Sequence, residues 1–284
     1  MHTTFIIQGP LTKDTIRCIQ MYSQFGNVIV SHWNTDNPTL IQAAYNEASS
    51  AQNVEIVTNA FVKNNSYNCG NMNFHLQSFR AGLEKCKTDS AIKVRSDEYM
   101  TDPRKLMNEV EKNPNKMTVC NFLFRGDFVL HPSDHIMGGN TKDMLSMVGR
   151  CMDTVAKYRK GQRVGIDSLG LSSDYCYEIL IPETLFCVSW LKVKGVDITD
   201  NFNGKGLPEI ESINRYMMKK YYNLVRASDL GDFLFRFTSA PIGSPTAYTD
   251  ESSFLYGTGR CHIRCIGDFD DIYISKLRDE ERPS

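Results

Sequence analysis

The sequence has no apolar run close to the roughly 20 residues that a membrane-spanning helix needs. Its first ten residues, MHTTFIIQGP, lack a basic region followed by an apolar core, so we expect no signal peptide. Neither charge dominates, because 32 Lys and Arg face 33 Asp and Glu for a net charge of −1. Such a chain has no bulk attraction to nucleic acid or to an acidic membrane. We therefore expect no nucleic-acid partner and no membrane span.

The sequence has no CxxC pair, although it contains nine cysteines, an odd number, spread along the chain. Cys261, His262 and Cys265 come closest to the spacing of a zinc site, but further ligands are missing near them. Reduced thiols in an intracellular protein are the expectation, and with them a cytoplasmic location.

No internal repeat, low-complexity segment or interdomain linker divides the 284 residues. Hydrophobic residues make up 41% of the chain and charged residues 23%, which are the proportions of a soluble globular protein. A chain of this length can bury a full-sized core. The expectation is one domain that spans residues 1–284.

Apolar strand-like runs alternate with amphipathic helical segments through residues 1–100. This alternation is typical of an α/β fold with a mostly parallel central sheet that is covered by helices. The elements predicted there are strands Thr4–Gln8, Asn27–Ser31, Val54–Val57 and Ala91–Val94 and helices Thr12–Phe25, Thr39–Ala51 and Met72–Lys85. The elements predicted beyond them are helices Pro103–Lys112, Asp143–Tyr158, Pro182–Lys192 and Ile210–Tyr222, a strand Met117–Phe124 and a polar loop Gln162–Ser173.

The fourth strand changes character within AIKVRSDEYM. Its apolar half is followed by Arg95, Asp97 and Glu98, at the carboxyl edge where open α/β sheets bind their ligands. Asp97 and Glu98 offer the oxygen ligands that Mg²⁺ and Mn²⁺ prefer. Lys93 and Arg95 alternate to one side of the strand, which suits a diphosphate–metal site. A salt bridge at a solvated strand end explains the same residues without any ligand.

Five short motifs follow one another along the chain: FIIQGP, VIVSHW, NMNFHLQSFRAGL, IKVRSDEYM and HPSDHIMGG. Their order and spacing resemble the WavE-type family of GT-A glycosyltransferases over residues 4–145, and PETLF at 182–186 resembles the family's Pro-Glu element. That family occurs in lipopolysaccharide core synthesis, with relatives among the glycan-building glycosyltransferases of large algal viruses, the chloroviruses.

The resemblance implies a GT-A-like (Rossmann-like) fold and a hexosyl- or pentosyltransferase. Such an enzyme moves a sugar from a nucleotide-sugar donor to a hydroxyl of a glycan acceptor. Residues 1–100 would form the half that binds the nucleotide sugar, and residues 101–284 the half that binds the acceptor and carries out catalysis.

The resemblance assigns the donor pocket to the first two strand ends, one helix face and the fourth strand. Gly9 permits close approach of the backbone to a ligand, and the indole of Trp33 can stack on a base. A core aromatic explains Trp33 equally well, and a solvated surface explains the helix face. The donor-binding residues predicted in this way are Gln8, Gly9, Pro10, Ser31, Trp33, Asn73, Gln77, Arg80, Lys93 and Arg95.

The metal motif departs from the Asp-x-Asp that is familiar in GT-A enzymes, because the residues here are Ser96, Asp97 and Glu98. Asp97 is the expected ligand of Mn²⁺ or Mg²⁺. Glu98 is the second predicted ligand, although it would point to the other side if the strand continued. His262 is a further candidate, as a late metal ligand. The departure also leaves open a transfer that needs no metal.

A transfer that inverts the anomeric carbon needs a general base for the acceptor hydroxyl, and a carboxylate is the usual choice. Asp134 lies in HPSDHIMGG beside a double-glycine turn, and Glu183 opens the helix that starts at Pro182. We place Asp134 slightly ahead, because Glu183 is also explained as a charge that completes a helix N-terminus. His131 and His135 flank Asp134 and are predicted to bind the acceptor, although each is also typical of an ordinary surface histidine.

The resemblance to the algal-virus enzymes favours a UDP-linked donor, with UDP-xylose as the first sugar to test. The protein would then be a xylosyltransferase of viral protein glycosylation, in the host cytoplasm if the protein is viral.

Two other functions share some of these features. A sugar nucleotidyltransferase would have the same sheet and metal carboxylates, but its first strand should lead into a glycine-rich basic loop. QGPLTKDT contains one glycine and one lysine. A noncatalytic carbohydrate-binding or structural protein would leave the grouping of Lys93, Arg95 and Asp97 without a purpose.

Overall fold

The computed structural model of the chain describes residues 3–61, 72–121, 130–159, 182–196, 198, 207–231, 233–235, 253–256 and 261–264. Strands and helices alternate through its first part. In chain order they are β1 (Thr3–Gln8), α1 (Lys13–Tyr22), β2 (Asn27–Trp33), α2 (Pro38–Ser50), β3 (Val54–Asn59), α3 (Met72–Lys85) and β4 (Ser90–Arg95). Every element predicted for this part is present, with ends that differ by at most three residues from the predicted ones.

The second part also contains the predicted helices, together with short strands that the sequence did not predict. In chain order its elements are β5 (Glu98–Met100), α4 (Arg104–Lys112), β6 (Met117–Cys120), β7 (Met137–Asn140), α5 (Thr141–Arg159), α6 (Pro182–Val193), α7 (Leu207–Tyr221), β8 (Tyr222–Val225), a 3₁₀ helix (Ala227–Leu230), β9 (Phe233–Phe235), β10 (Ser253–Tyr256) and β11 (Cys261–Arg264). The strand predicted to reach Phe124 ends at Cys120, and residues 122–124 and the predicted loop Gln162–Ser173 lie outside the described residues.

Seven strands form one sheet in the order β3-β2-β1-β4-β7-β6-β8. All its strands run parallel except β7, which is antiparallel to both β4 and β6. The α/β class with a mostly parallel, helix-covered sheet is therefore confirmed. Strands from both predicted halves of the chain share this sheet.

Successive strands are added first on one side of β1 and then on its other side, which creates a switch point between β1 and β4. After β1 the chain continues outward to β2 and β3, and then returns to place β4 on the other side of β1. Gln8 pairs with Ser31 of β2 and with Arg95 of β4, so three strand ends meet at one edge. Open α/β sheets bind their ligands in the crevice at such a point.

The antiparallel direction of β7 brings the residues that precede this strand to the same edge of the sheet. Because β7 is antiparallel to β4, with Met137 opposite Lys93, its amino end lies at the carboxyl edge of the parallel strands. The residues just before β7, Asp134 and His135 among them, therefore approach the end of β4.

Two apolar clusters pack against opposite faces of the sheet. On one face, Ile6 of β1 joins side chains of α3, α5 and α6, including Phe79 and Phe186. On the other, Phe5 of β1 joins side chains of α1 and α4, including Tyr22. Alternation of side chains along a strand is what sends neighbouring residues of β1 to different clusters.

Among the described residues, no helix is long and apolar enough to cross a bilayer. The cysteines whose side chains are described form no disulfide with one another; they are Cys18, Cys86, Cys120, Cys151 and Cys187.

Candidate active site

A cavity of about 590 Å³ opens at the switch point. Its wall comes from the loops that follow β1, β2 and β4, together with the start of α3 and the residues after β3. The lining residues are Gln8, Gly9, Pro10, Thr12, Trp33, Thr35, Asp36, Phe61, Phe74, His75, Arg95, Ser96 and Asp97. Six of the predicted site residues are among them, namely Gln8, Gly9, Pro10, Trp33, Arg95 and Asp97.

The loops after β1 and β4 are tied tightly to each other. Gly9 has φ of +129°, and a side chain there would bring its Cβ to 2.7 Å from Oγ of Ser96. Ser96 donates from Oγ to the carbonyl of Pro10 at 2.7 Å, and its own carbonyl accepts from the hydroxyls of Thr12 and Thr15 at 2.9 and 2.8 Å. Glycine is thus required at position 9 by backbone conformation and by the close approach of the two loops.

Three aromatic rings form one wall of the cavity. Phe61 and Phe74 stack with ring centroids 4.7 Å apart, and Trp33 meets both edge-on at 6.0 and 5.3 Å. Trp33 is only 3% exposed, so it is both a packed aromatic and part of the cavity wall. The sequence analysis did not predict Phe61 or Phe74, because aromatic residues in a loop and on an apolar helix face carry no signal of a ligand.

Asp36 shapes the loop after β2 and was also not predicted. Its Oδ2 accepts hydrogen bonds from the backbone N–H groups of Leu11 and Trp33 at 3.1 and 3.0 Å, and lies 3.3 Å from Nδ1 of His32. One carboxylate oxygen thus joins the loops after β1 and β2.

Arg95 contacts both of the carboxylates that the sequence analysis predicted to bind a metal. Its guanidinium donates to both oxygens of Asp97, at 3.0 and 3.1 Å, and its Nε lies 3.2 Å from Oε1 of Glu98. Glu98 therefore lies beside Arg95 together with Asp97, since the condition under which it would point to the other side, a strand that continues, is not met. The reason is that β4 ends at Arg95, and Glu98 begins a separate strand paired with β9 after a two-residue turn.

The two predicted metal ligands, Asp97 and Glu98, are each paired with neighbouring side chains, and their role as metal ligands stays a prediction. Both oxygens of Asp97 accept from Arg95, and Glu98 is 1% exposed and held by Arg95 and His135. Among the described residues there is no group of three or more His, Cys, Asp or Glu arranged to hold a metal ion. For His262 the structure describes only the backbone, in β11.

Behind the cavity lies a buried cluster of charged and titratable side chains. Lys93 is fully buried, donates to the backbone carbonyl of Asp134 and lies 4.0 Å from its Oδ2. His135 bridges two carboxylates, with Nδ1 2.5 Å from Glu98 and Nε2 3.9 Å from Asp134. Burial alone would raise the pKa of Asp134, but the positive charge of Lys93 above all outweighs it and holds this pKa below its usual range.

Glu183, at the start of α6, approaches this cluster from another direction. It lies 3.8 Å from Nε2 of His131. Burial, followed by the negative charge of Asp134, raises the pKa of Glu183 to about 8. The two predicted bases therefore differ at pH 7, where Asp134 is ionised and Glu183 holds its proton. Neither of them lines the cavity.

His75 on α3 connects the cavity to this cluster and was missed by the sequence analysis. It lines the cavity, and its Nδ1 lies 3.4 Å from Oδ2 of Asp134. Its ring packs edge-on against Phe186, with centroids 5.1 Å apart. A histidine inside NMNFHLQSF becomes visible as a site residue only when the fold places Asp134 beside it.

Several predicted donor-binding residues do not line the cavity. Ser31 is fully buried and donates to the carbonyl of Ser78 at 2.6 Å. Gln77 donates to the carbonyl of Ala60 at 3.3 Å, and the exposed Arg80 pairs with Glu84 at 2.7 Å. Asn73 and Lys93 are likewise absent from the lining. For these residues a role in donor binding stays a prediction.

The family model of WavE lipopolysaccharide synthesis matches residues 3–197, more than half of the chain. The chain belongs to the WavE family. This membership supports a function of the glycosyltransferase-like or nucleotide-sugar-related kind. The resemblance to the chlorovirus enzymes stays a prediction. No curated protein sequence matched the chain.

Solved structures resemble the WavE-family chain only distantly. S. aureus TarS is 9% identical with a TM-score of 0.40, over 67% of this chain and 33% of that one. A putative glucose-1-phosphate thymidylyltransferase from Bacillus anthracis is 9% identical with a TM-score of 0.40, over 84% and 90%. HddC from Yersinia pseudotuberculosis is 8% identical with a TM-score of 0.35, over 51% and 79%. Likeness at this level carries no argument about function.

Proposed function

We propose that the protein is a glycosyltransferase that moves a sugar from a nucleotide-sugar donor to a hydroxyl of a glycan acceptor. The observation that carries the proposal is the cavity at the switch point, which groups three aromatic rings with Arg95 and Asp97. A base stacks on aromatic rings, and a guanidinium binds phosphate through paired hydrogen bonds. A cavity of about 590 Å³ is within the usual range for a small-molecule site.

In this proposal the aromatic wall of Trp33, Phe61 and Phe74 takes the base, and Arg95 takes the diphosphate. Gln8 adds a buried Oε1 on the cavity wall that has no hydrogen-bond partner among the described residues. That oxygen can accept from an N–H or O–H of a ligand. Lys93, buried behind Arg95 on the same side of β4, adds positive charge near the leaving diphosphate.

The finer parts of the proposal follow the resemblance described above. The donor is UDP-linked, with UDP-xylose first among the sugars, and transfer inverts the anomeric carbon. The reaction takes place in the cytoplasm, or in the host cytoplasm if the protein is viral. The activity requires added Mn²⁺ or Mg²⁺.

The test is donor hydrolysis across UDP-, GDP- and CMP-sugars, each with Mn²⁺ or EDTA, together with the melting temperature in the matching nucleoside diphosphate. We expect slow hydrolysis of one donor and a clear rise in melting temperature, because a ligand at a hundred times its Kd adds about 2.7 kcal/mol. Preference for a triphosphate would identify a nucleotidyltransferase. Absence of both hydrolysis and thermal shift would identify a noncatalytic protein.

A matched pair of variants tests the role of Arg95. Arg95→Gln should weaken nucleoside diphosphate binding at least about tenfold, since a charged hydrogen bond contributes about 1.5–3 kcal/mol. Arg104→Gln is the control, because Arg104 makes the same two-pronged contact with Asp102 at an exposed position. Equal affinity in both variants would contradict a phosphate-binding role for Arg95.

A further inference from the structure

His75 stands between the cavity and the buried carboxylate of Asp134. Its ring is part of the cavity wall, whereas Asp134 is not. Nδ1 lies 3.4 Å from Oδ2 of Asp134. Nε2 is buried and has no hydrogen-bond partner among the described residues. One ring nitrogen is thus engaged by a carboxylate, and the other is left for a ligand.

The pairing with Asp134 decides what kind of group Nε2 can bind. The negative charge of Asp134, 3.4 Å from Nδ1, favours the neutral tautomer whose proton lies on Nδ1. In that tautomer Nε2 carries a lone pair and acts only as an acceptor. Phosphate oxygens cannot donate to it. The group that fits Nε2 is therefore a hydrogen-bond donor, and in a glycan acceptor that donor is a hydroxyl.

The charges around His75 keep the ring neutral. Burial, and next the positive charge of Lys93, lower the pKa of His75 well below its ordinary value. Arg95 and His135 act in the same direction, and Asp134 opposes them. On α6, which contacts His75 through Phe186, the carboxylate of Glu183 lies 3.8 Å from His131. His75 is therefore an unprotonated base at pH 7.

The two carboxylates are less suited to touch the acceptor. Asp134 lies among Lys93, His75 and His135, which surround its carboxylate. Glu183 holds its proton at pH 7 because its pKa is raised to about 8. Neither side chain lines the cavity.

We propose that His75 is the general base of the sugar transfer and that Asp134 is the positioning residue that orients its ring, an inference that rests on the proposed function. The acceptor oxygen bonds to the anomeric carbon, and the bond from that carbon to the diphosphate breaks. Its electron pair leaves with the nucleoside diphosphate. The hydroxyl proton passes to Nε2, and the resulting imidazolium is stabilised by Asp134.

Substitution of His75 gives the first test, read by donor hydrolysis, in which water is the acceptor. His75→Gln should lower kcat by about 10²–10⁴-fold, the usual contribution of a general base, and leave the thermal shift by nucleoside diphosphate in place. His75→Ala should regain part of its activity when imidazole is added. Lys85→Gln, at an exposed position on the same helix, is the control.

The pH dependence of kcat in the wild-type protein separates Glu183 from the other two candidate bases without any substitution. If His75 is the base, kcat falls only as the pH drops below about 6.5, the ordinary value for histidine. If Glu183 is the base, activity is lost as the pH falls through about 8. If Asp134 is the base, activity is also lost only in the acid range, because the pKa values of His75 and Asp134 are both lowered, so a substitution is needed to separate these two. Asp134→Asn should reduce kcat without abolishing it, leave KM for the donor unchanged and shift the acid limb of the pH profile to lower pH, because Asp134 raises the pKa of His75.

The possible outcomes lead to different conclusions. Full activity in folded His75→Gln, or an acid limb near pH 8, overturns the assignment of His75 while the glycosyltransferase function stands. Absence of donor hydrolysis in the wild-type protein overturns the proposed function and this inference with it. If His75→Gln fails to fold, Asp134→Asn decides: reduced activity with an acid limb supports His75, and complete loss of activity overturns it.

Discussion

Arg95 is the residue on which the charged part of the cavity depends. Its planar guanidinium reaches both oxygens of Asp97 and one oxygen of Glu98 at the same time. A lysine could not reproduce this arrangement, because an ammonium group is a point charge without a fixed fork of donors. The carboxylates in turn hold Arg95 at the cavity wall, so the positive charge is in place before a ligand arrives.

Asp97→Asn tests this arrangement. We expect transfer to fall at least about a hundredfold, because Arg95 is no longer held by a charged partner where the donor's charge develops. The fold should remain intact, since Arg95 keeps its contact with Glu98. Donor hydrolysis and circular dichroism measure the two effects. Asp102→Asn, which weakens the equivalent exposed pair with Arg104, should retain activity. Wild-type turnover in Asp97→Asn would contradict the role of Asp97.

The raised pKa of Glu183 should make the stability of the protein depend on pH. Its pKa is about 8 in the folded protein and about 4.3 in an unfolded chain, so folding takes up a proton between these values. Its contribution to stability is full below the unfolded pKa and is lost as the pH rises through about 8. Glutamine cannot ionise, so Glu183→Gln should gain several degrees in melting temperature relative to wild type between pH 5 and pH 9.

Scanning calorimetry of both proteins at three pH values measures this difference. Glu84→Gln, at a half-exposed position on α3, controls for the loss of a carboxylate. If the melting temperatures of wild type and Glu183→Gln change with pH in parallel, Glu183 ionises normally in the folded protein.

At the scale of elements, α3 serves both the core and the site. Leu76 and Phe79 belong to the apolar cluster on one face of the sheet, while Phe74 and His75 line the cavity. Gly82 lets the helix lie close to the sheet, since a Cβ there would be 2.5 Å from Cγ2 of Ile6. The position of His75 therefore depends on how closely α3 packs against β1.

Gly82→Ala should destabilise the protein by about 1–3 kcal/mol, the usual cost of overpacking. Gly149→Ala is the matched control, because Gly149 lies in α5 and an added Cβ would meet nothing within 4 Å. That change should stabilise the protein by about 0.4–1 kcal/mol, through lower entropy of the unfolded chain. Urea unfolding measures both. Equal effects of the two substitutions would mean that α3 can move away from β1 at no cost.

At the scale of the whole molecule, the sheet separates two apolar clusters that do not share side chains. Ile6 belongs to one and Ile19 to the other, and both are almost completely buried. Residues on opposite faces of a sheet have no common partners, so their contributions to the free energy of unfolding should be independent.

Ile6→Val and Ile19→Val should each cost about 0.5–1.5 kcal/mol, and the double variant should lose their sum to within about 0.5 kcal/mol. Phe79→Leu with Phe186→Leu is the contrasting pair, because these rings meet edge-on within one cluster, with centroids 6.1 Å apart. Their coupling should reach about 0.5–1.5 kcal/mol. Strong coupling between Ile6 and Ile19 would show that the sheet transmits changes from face to face.

The helices and the strands β1 to β4 were predictable because their signals are local. Alternating apolar runs, the polar and proline starts of helices and the change from Val94 to Arg95 are all contained in short windows of sequence. The cavity residues Gln8, Gly9, Trp33, Arg95 and Asp97 were predictable for the same reason, since each stands at or next to the end of a strand.

The remaining site residues depend on contacts between distant parts of the chain. His75 lies 3.4 Å from Asp134, but only because α3 packs against the sheet and β7 runs antiparallel to β4. The direction of Glu98 depends on a turn after Arg95 and on pairing with β9. The sequence by itself determined the α/β class and the strand ends that meet at one edge, because period and chain order set both. Only the tertiary structure decided which carboxylate lies among positive charges and which histidine lies beside it, because contacts between distant parts of the chain set both.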